Sequence, residues 1–126
     1  MVQQKTVKVK ADLKRNRLQV TLSGSISKKE MENLYTEIRF GVADLKPGFS
    51  VITDLRQCRI GHLSGVAIFM KINEYLSSKQ VGAVIRILKK KNLLFKQLSR
   101  LAARNAPYEV IYVSSEEEAE AKLAED

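Results

Sequence analysis

The residues with the clearest chemical potential lie in one segment, TDLRQCRIGHLSG at residues 53–65. It contains the only cysteine of the chain, Cys58, and its only histidine, His62, with Asp54 and Ser64 nearby. A histidine base needs a nucleophile or an orienting carboxylate within reach, and Asp54 is the candidate for that carboxylate. A lone histidine and a lone cysteine also fall short of the usual metal sites. We therefore predict no catalytic residue, no metal site and no cofactor.

Each of these four residues has a simpler structural interpretation. We interpret His62 as a solvated loop residue and Cys58 as a small buried apolar residue. Asp54 is expected to cap the loop by accepting a backbone N–H bond. Ser64 stands directly before an apolar helical pattern, where serine commonly serves as the N-cap.

The elements that position this segment follow from the spacing of apolar residues. Period-two alternation in residues 5–11 and 17–24 predicts two strands joined by a turn, hence a hairpin. The continuous apolar run FSVITDL at residues 49–55 predicts a central strand buried on both faces. The later half alternates strand with helix, which favours parallel strands and right-handed crossovers. The predicted order is β-β-α-β-α-β-α-β-α, an α/β fold with a mixed sheet of about five strands and four helices.

Two helix starts are marked by the same local pattern. Ser27 is followed three residues later by Glu30, and Ser115 is followed three residues later by Glu118. In such a capping box the serine and glutamate side chains each accept a free backbone N–H. The pattern predicts helices that begin after Ser27 and after Ser115.

Composition narrows the class of protein. A chain of 126 residues is the usual size of one domain. The net charge is +8, but residues 115–126 carry −5, so the other 114 residues carry +13. Such a basic body suits an acidic partner, namely nucleic acid, an anionic membrane or an acidic protein, or is simply a solvated lysine-rich surface. The chain lacks the apolar run of about 18 residues that a membrane span needs. A single cysteine and a polar start, MVQQKTVKVK, favour a cytoplasmic protein without a signal peptide.

The order of elements and one motif resemble the STAS domain, the module of sulfate transporters and of bacterial anti-sigma-factor antagonists. Members typically run D-L-S-G-V-x-F-x-D-S-S-G from the third strand into the second helix, and residues 54–65 read D-L-R-Q-C-R-I-G-H-L-S-G. The two align without a gap and are identical at Asp54, Leu55, Ser64 and Gly65. The segments LKPGFSVITDL and YEVIYVSSEEEAEAKL are also similar to small bacterial proteins grouped as STAS-like or SEC14-like. The resemblance implies a single STAS-like domain over residues 1–126.

The departures from the family motif shape the expected function. In the antagonists a partner kinase phosphorylates the first serine of D-S-S-G, and that position is Leu63 here, preceded by His62. Leucine has no hydroxyl, so this phosphorylation is chemically impossible. The resemblance thus implies a non-catalytic, regulatory protein-interaction module that lacks the phosphorylatable serine. The predicted partner-binding residues are Arg59, His62, Leu63, Ser64, Gly65 and Val66.

The sequence leaves the roles of two further surfaces undecided. The second helix, GVAIFMKINEYL, is more apolar than one core face requires. Its remaining apolar residues are either exposed for a partner or form the wall of a pocket for an apolar or lipid-like ligand, which is the alternative function. A predicted helix at residues 92–105 carries a basic surface of Lys96, Arg100 and Arg104, spaced by four residues. No aromatic residue stands between these cations to stack bases, so we expect no specific nucleic-acid binding there.

Overall fold

The computed structural model describes residues 7–59, 64–89, 108 and 110–124, and for residues 59 and 64–66 it describes the backbone. These residues form five strands and three helices. The strands are β1 (Val7–Asp12), β2 (Arg17–Ser25), β3 (Ser50–Arg59), β4 (Val84–Ile87) and β5 (Val110–Val113), and the helices are α1 (Lys28–Val42), α2 (Ser64–Ser78) and α3 (Glu116–Ala124). The predicted helix at residues 92–105 lies outside the described residues.

The five strands form one mixed sheet in the order β1-β2-β3-β4-β5. β1 and β2 pair antiparallel, as the predicted hairpin requires, and the other neighbours pair parallel. The α/β class, the mixed five-stranded sheet and the central position of β3 are therefore confirmed. The strand β3 is longer than predicted, because it continues beyond Leu55 to Arg59.

Both faces of the sheet are covered over its centre. The register partners Leu18, Val51 and Val84 face α1 and α2 in the larger apolar cluster. The next residues along β3 and β4, Ile52 and Ile85, face the opposite side and belong to a smaller cluster with α3. Successive strand residues point to opposite faces, so a strand covered on both sides is apolar throughout. This explains the continuous apolar run of β3. None of the helices described here is both long enough and apolar enough to cross a membrane.

The helix starts agree with the capping patterns. At the start of α1, Ser27 Oγ accepts the Glu30 backbone N–H at 3.1 Å, and the Glu30 carboxylate accepts the Ser27 N–H at 3.2 Å. At the start of α3, Ser115 Oγ accepts the Glu118 N–H at 3.1 Å. The Glu118 carboxylate accepts a bond from the Ser114 hydroxyl, so this second box is built with the neighbouring serine.

The loops that lead into β3 and β4 pack backbone against backbone. Gly82 donates its N–H to the Phe49 carbonyl at 2.7 Å, and Gly48 donates to the Gln80 carbonyl at 2.7 Å. A Cβ atom at Gly82 would lie 2.6 Å from the Gly48 carbonyl oxygen. This contact leaves no space for a side chain at Gly82. It also fixes where β3 and β4 begin relative to each other along the strand direction.

We predict that Gly82→Ala lowers the free energy of unfolding by about 2 kcal/mol, because the added methyl group meets rigid backbone. Gly41→Ala is the matched control, since its Cβ would meet the flexible end of the Leu18 side chain, Cδ1 at 2.5 Å. Alanine also favours the helical position of Gly41 by up to about 1 kcal/mol. Urea denaturation of the two variants and the wild type measures the difference. Equal midpoints for the two variants would contradict the backbone contact.

Candidate functional site

The strand β3 contains a β-bulge just before the predicted partner-binding loop. Thr21 of β2 pairs with Asp54, but Ser23 pairs with Gln57, so β3 has one extra residue in this interval. The bulge resets the alternation of side chains. As a result Leu55 and Cys58, three positions apart, both point into the larger apolar cluster. The strand predicted at residues 49–55 therefore continues past Leu55 as far as Arg59.

The bulge is held by Asp54 and Arg56. Asp54 Oδ1 accepts the backbone N–H of Arg56 at 3.1 Å and its Nε–H at 3.0 Å. Asp54 Oδ2 accepts from Arg56 Nη2 at 2.8 Å, which completes a two-pronged ion pair. The expectation that Asp54 accepts a backbone N–H is confirmed. Partial burial acts to raise the pKa of Asp54, but the hydrogen bonds and charge of Arg56 outweigh it and hold the pKa below its ordinary value.

Two arginines connect the acidic helix α3 to the sheet. Arg56 Nη2 also contacts Glu116 Oε1 at 3.3 Å. On β2, the buried Arg17 donates from Nη1 to Glu120 Oε2 at 2.7 Å. The helix packs over β4 and β5, and the acidic side chains of its first and second turns reach the two strands that form the bulge.

A cavity of about 130 Å³ lies between α3 and the sheet. Polar side chains dominate its lining: Gln19, Thr21, Asp54, Glu116 and Glu120. Pockets for organic ligands usually measure about 300–1,000 Å³ and are mostly apolar. Nowhere in the described part of the chain do three or more carboxylate, histidine or cysteine side chains gather as a metal site would require. The cavity thus gives no support to an apolar ligand.

A buried polar cluster lies beneath α2. Arg86 of β4 is 3% exposed and donates from Nη2 to Asn73 Oδ1 at 3.0 Å. The hydroxyl of Tyr108 donates to the same oxygen at 2.8 Å, and the Arg86 guanidinium lies 5.6 Å from the centre of the Phe69 ring. Burial raises the pKa of Tyr108 to about 12, although the positive charge of Arg86 acts to lower it. The phenol therefore stays protonated and donates its hydrogen bond. These contacts fix α2 over β4.

Sequence reasoning did not identify this cluster, although each member leaves a trace. Arg86 interrupts an apolar strand, AVIRIL, and Asn73 occupies the apolar stripe of α2 four residues after Phe69 and three before Leu76. A polar residue at a core position needs a partner, so two such residues are candidates for each other.

The structure locates only part of the predicted partner-binding set. Arg59 ends β3, and residues 64–66 form the first turn of α2. Ser64 is the first residue of the helix, and its N-cap role stays a prediction. His62, Leu63 and the basic surface of Lys96, Arg100 and Arg104 lie outside the described residues.

The first half of α2 presents apolar side chains to solvent. Ile68, Phe69 and Ile72 face the core, whereas Met70 is 43% exposed and Ala67 is also exposed. Met70 is absent from the predicted partner-binding set, yet it follows that set directly on the helix. Its sequence signal was the excess of apolar residues in α2, part of which is now seen to face outward.

Comparisons with known proteins identify the fold. No family model and no curated protein sequence matches the chain. An uncharacterized DUF3478-family protein with a SpoIIAA-like fold from Shewanella loihica PV-4 superposes with a TM-score of 0.71 at 15% identity, covering 98% of each chain. Phosphorylated SpoIIAA from Bacillus, a cell fate determinant, gives 0.61 at 13% identity, covering 93% of this chain and 98% of that one.

A third match connects the fold with another regulatory complex. A chain from the complex of the diguanylate cyclase SiaD with its activator SiaC, from Pseudomonas aeruginosa, gives a TM-score of 0.56 at 14% identity, covering 90% of this chain and 96% of that chain. SpoIIAA is an anti-sigma factor antagonist. The chain therefore has a SpoIIAA-like fold, which agrees with the STAS resemblance of its sequence.

We predict that Asp54→Asn lowers the free energy of unfolding at neutral pH by about 1 kcal/mol, because it removes a partly exposed charge-assisted pair. Because the pKa of Asp54 is lowered in the folded state, its contribution is present above the unfolded pKa and is lost as pH falls through the folded pKa. The variant should therefore approach the wild type in stability below about pH 4. Urea titrations at several pH values test this.

The control for that experiment is Asp44→Asn, an exposed aspartate between α1 and β3. It should leave the stability within about 0.5 kcal/mol of the wild type. A difference between Asp54→Asn and the wild type that persisted unchanged at low pH would contradict the ion-pair interpretation.

We also predict that the Cys58 thiol of the folded protein is unreactive. The residue is 5% exposed, and burial raises the pKa of its thiol to about 12. The reactive thiolate is therefore scarce at neutral pH. Labelling with a chromogenic disulfide should be slower by about a hundredfold or more in buffer than in denaturant. Rapid stoichiometric labelling of the folded protein would show that Cys58 is accessible.

Proposed function

We propose that this chain is a non-catalytic, cytoplasmic regulatory module that binds a partner protein through the segment from Arg59 to Met70. The observation that carries the proposal is the outward-facing pair Ala67 and Met70. They follow the predicted partner-binding residues 64–66 on the same helix. Methionine suits a protein contact, because its flexible thioether adapts to the shape of a partner.

The surroundings of this segment support a rigid contact surface. The bulge pinned by Asp54 fixes the end of β3, and the Arg86–Asn73 contact fixes α2 from below. A preorganised surface loses little conformational entropy when it binds. The fold adds weaker support, since SpoIIAA is an anti-sigma factor antagonist and SiaC activates a cyclase.

The same site argues for a contact that phosphorylation does not control. A phosphate would bring about two negative charges and three acceptor oxygens to the start of α2. Leu63 offers no hydroxyl for that modification and provides an apolar side chain instead. We infer that partner binding occurs in one constitutive state.

The experiment first identifies the partner and then tests the site. A photo-reactive amino acid at position 63 or 70 crosslinks whatever protein binds there in cells of the source organism. The crosslinked protein is purified and titrated with the wild type, Leu63→Asp, Leu63→Ser and Met70→Ser. We expect Leu63→Asp to weaken binding by about tenfold or more, because a carboxylate replaces an apolar contact, and Met70→Ser to weaken it less.

The control is Phe40→Ser, which removes an apolar side chain that is 75% exposed in the last turn of α1. This variant should bind like the wild type. Circular dichroism confirms that every variant is folded. Equal affinity of all the folded variants would show that this segment is not the binding surface.

A further inference from the structure

We propose that the turn between β1 and β2 binds the surface of an anionic lipid membrane. This surface is distinct from the partner-binding segment and does not depend on it. The turn begins at Leu13, a large apolar residue that is 61% exposed. Lys14 and Arg15 follow it directly, and both are exposed. An apolar side chain among cations is the combination that binds the boundary between headgroups and acyl chains.

The turn is rigid in spite of its exposure. Asn16 adopts a left-handed conformation, with φ of 52°, and donates its N–H to the Leu13 carbonyl at 3.3 Å. Its side chain bridges to the connection before β3: Nδ2 donates to the Lys46 carbonyl at 3.1 Å, and Oδ1 accepts the Lys46 N–H at 2.8 Å. Leu13 is thus presented by a fixed loop, and binding costs little ordering entropy.

The Asn16 bridge also adds a positive charge to the surroundings of the turn. It brings Lys46 beside Lys14 and Arg15, and Lys10 faces solvent on the adjoining end of β1. Two acidic residues lie nearby: Asp12, which contacts Arg15 at 3.8 Å, and the exposed Asp44. Four cations against two acids leave a positive surface. Each basic residue near an anionic leaflet contributes about a fivefold gain in affinity.

A membrane explains these residues better than a nucleic acid does. Phosphate contacts would use the cations but would gain nothing from Leu13, and base recognition requires hydrogen bonds or aromatic stacking. A single exposed leucine is ordinary by itself. Its position at the start of a fixed turn, directly before the outer residues Lys14 and Arg15, gives it a role, since it is the apolar side chain there that can enter the acyl boundary.

The geometry allows both surfaces to act at once. β2 and β3 are parallel, and the turn precedes β2, whereas the partner-binding segment follows β3. The two surfaces therefore lie at opposite ends of the central strands.

Cosedimentation of the full chain with lipid vesicles tests the proposal. We use vesicles of phosphatidylcholine alone and vesicles that contain phosphatidylglycerol at about one third of the lipid. The wild type should bind the anionic vesicles, and binding should fall with rising salt. Leu13→Ser should weaken this binding about tenfold, as the transfer of a leucine side chain implies. The double variant Lys14→Gln/Arg15→Gln should weaken it at least as strongly.

Matched variants at the other end of the molecule control for general effects. The double variant Lys28→Gln/Lys29→Gln changes two exposed lysines and should bind vesicles like the wild type. The triple variant Lys96→Gln/Arg100→Gln/Arg104→Gln should retain the Leu13-dependent binding. Circular dichroism verifies the fold of each variant.

Three results would overturn the proposal. The first is absence of binding to anionic vesicles at low salt. The second is equal binding by Leu13→Ser and the wild type. The third is loss of binding only in the triple variant, which would assign lipid binding to the other basic surface. Tight binding of duplex DNA that is unaffected by Leu13→Ser but abolished by Lys14→Gln/Arg15→Gln would reassign the turn to nucleic acid.

Discussion

The contact between the Asp54 carboxylate and Arg56 governs the geometry of the rest of the molecule. Without the extra residue that it stabilises, strict alternation would turn Gln57 toward the core and Cys58 toward solvent. With it, Leu55 and Cys58 both point inward, and β3 keeps its pairing with β2 as far as Arg59. Because α2 begins five residues later, the position of its first turn depends on where this strand ends. The same arginine reaches Glu116, so the bulge and α3 share one charge.

The buried cluster beneath α2 contributes geometry more than stability. Removing a guanidinium from water is costly, and its hydrogen bond to the neutral Asn73 amide by itself offsets only part of the cost. An apolar pair would be at least as stable, but it would let the helix slide or rotate over the sheet. Directional bonds from Arg86 and Tyr108 to one oxygen of Asn73 permit a single position of α2. A surface that binds a partner benefits from such a fixed position, because its contacts are already arranged.

Sequence patterns predicted what depends on local or periodic rules. The hairpin, the order of the described strands and helices, the central position of β3 and the cap at Ser27 all follow from spacing and side-chain chemistry. The bulge was not predictable, since it depends on pairing with β2 and becomes visible only in the register. The Arg86–Asn73 contact joins two elements that lie 13 residues apart, and a single sequence does not reveal such pairings. The exposure of Met70 could not be predicted until the packing of α2 on the sheet was known. Helical spacing alone is compatible with a wide apolar face that is entirely buried.

The two proposed surfaces together suggest how binding can be controlled without a phosphate. A partner contact with leucine at position 63 cannot be weakened by phosphorylation at that position, so occupancy depends on local concentration. A membrane contact at the opposite end of the central strands changes that concentration without touching the partner surface. When a partner is also at the membrane, confinement converts its binding into a nearly intramolecular event and raises occupancy without any new contact. The occupancy of the partner-binding surface is then controlled by where the protein is located and not by a chemical modification of the loop. Such control requires a contact that is always competent to bind, and a leucine in place of the phosphorylated serine supplies that property.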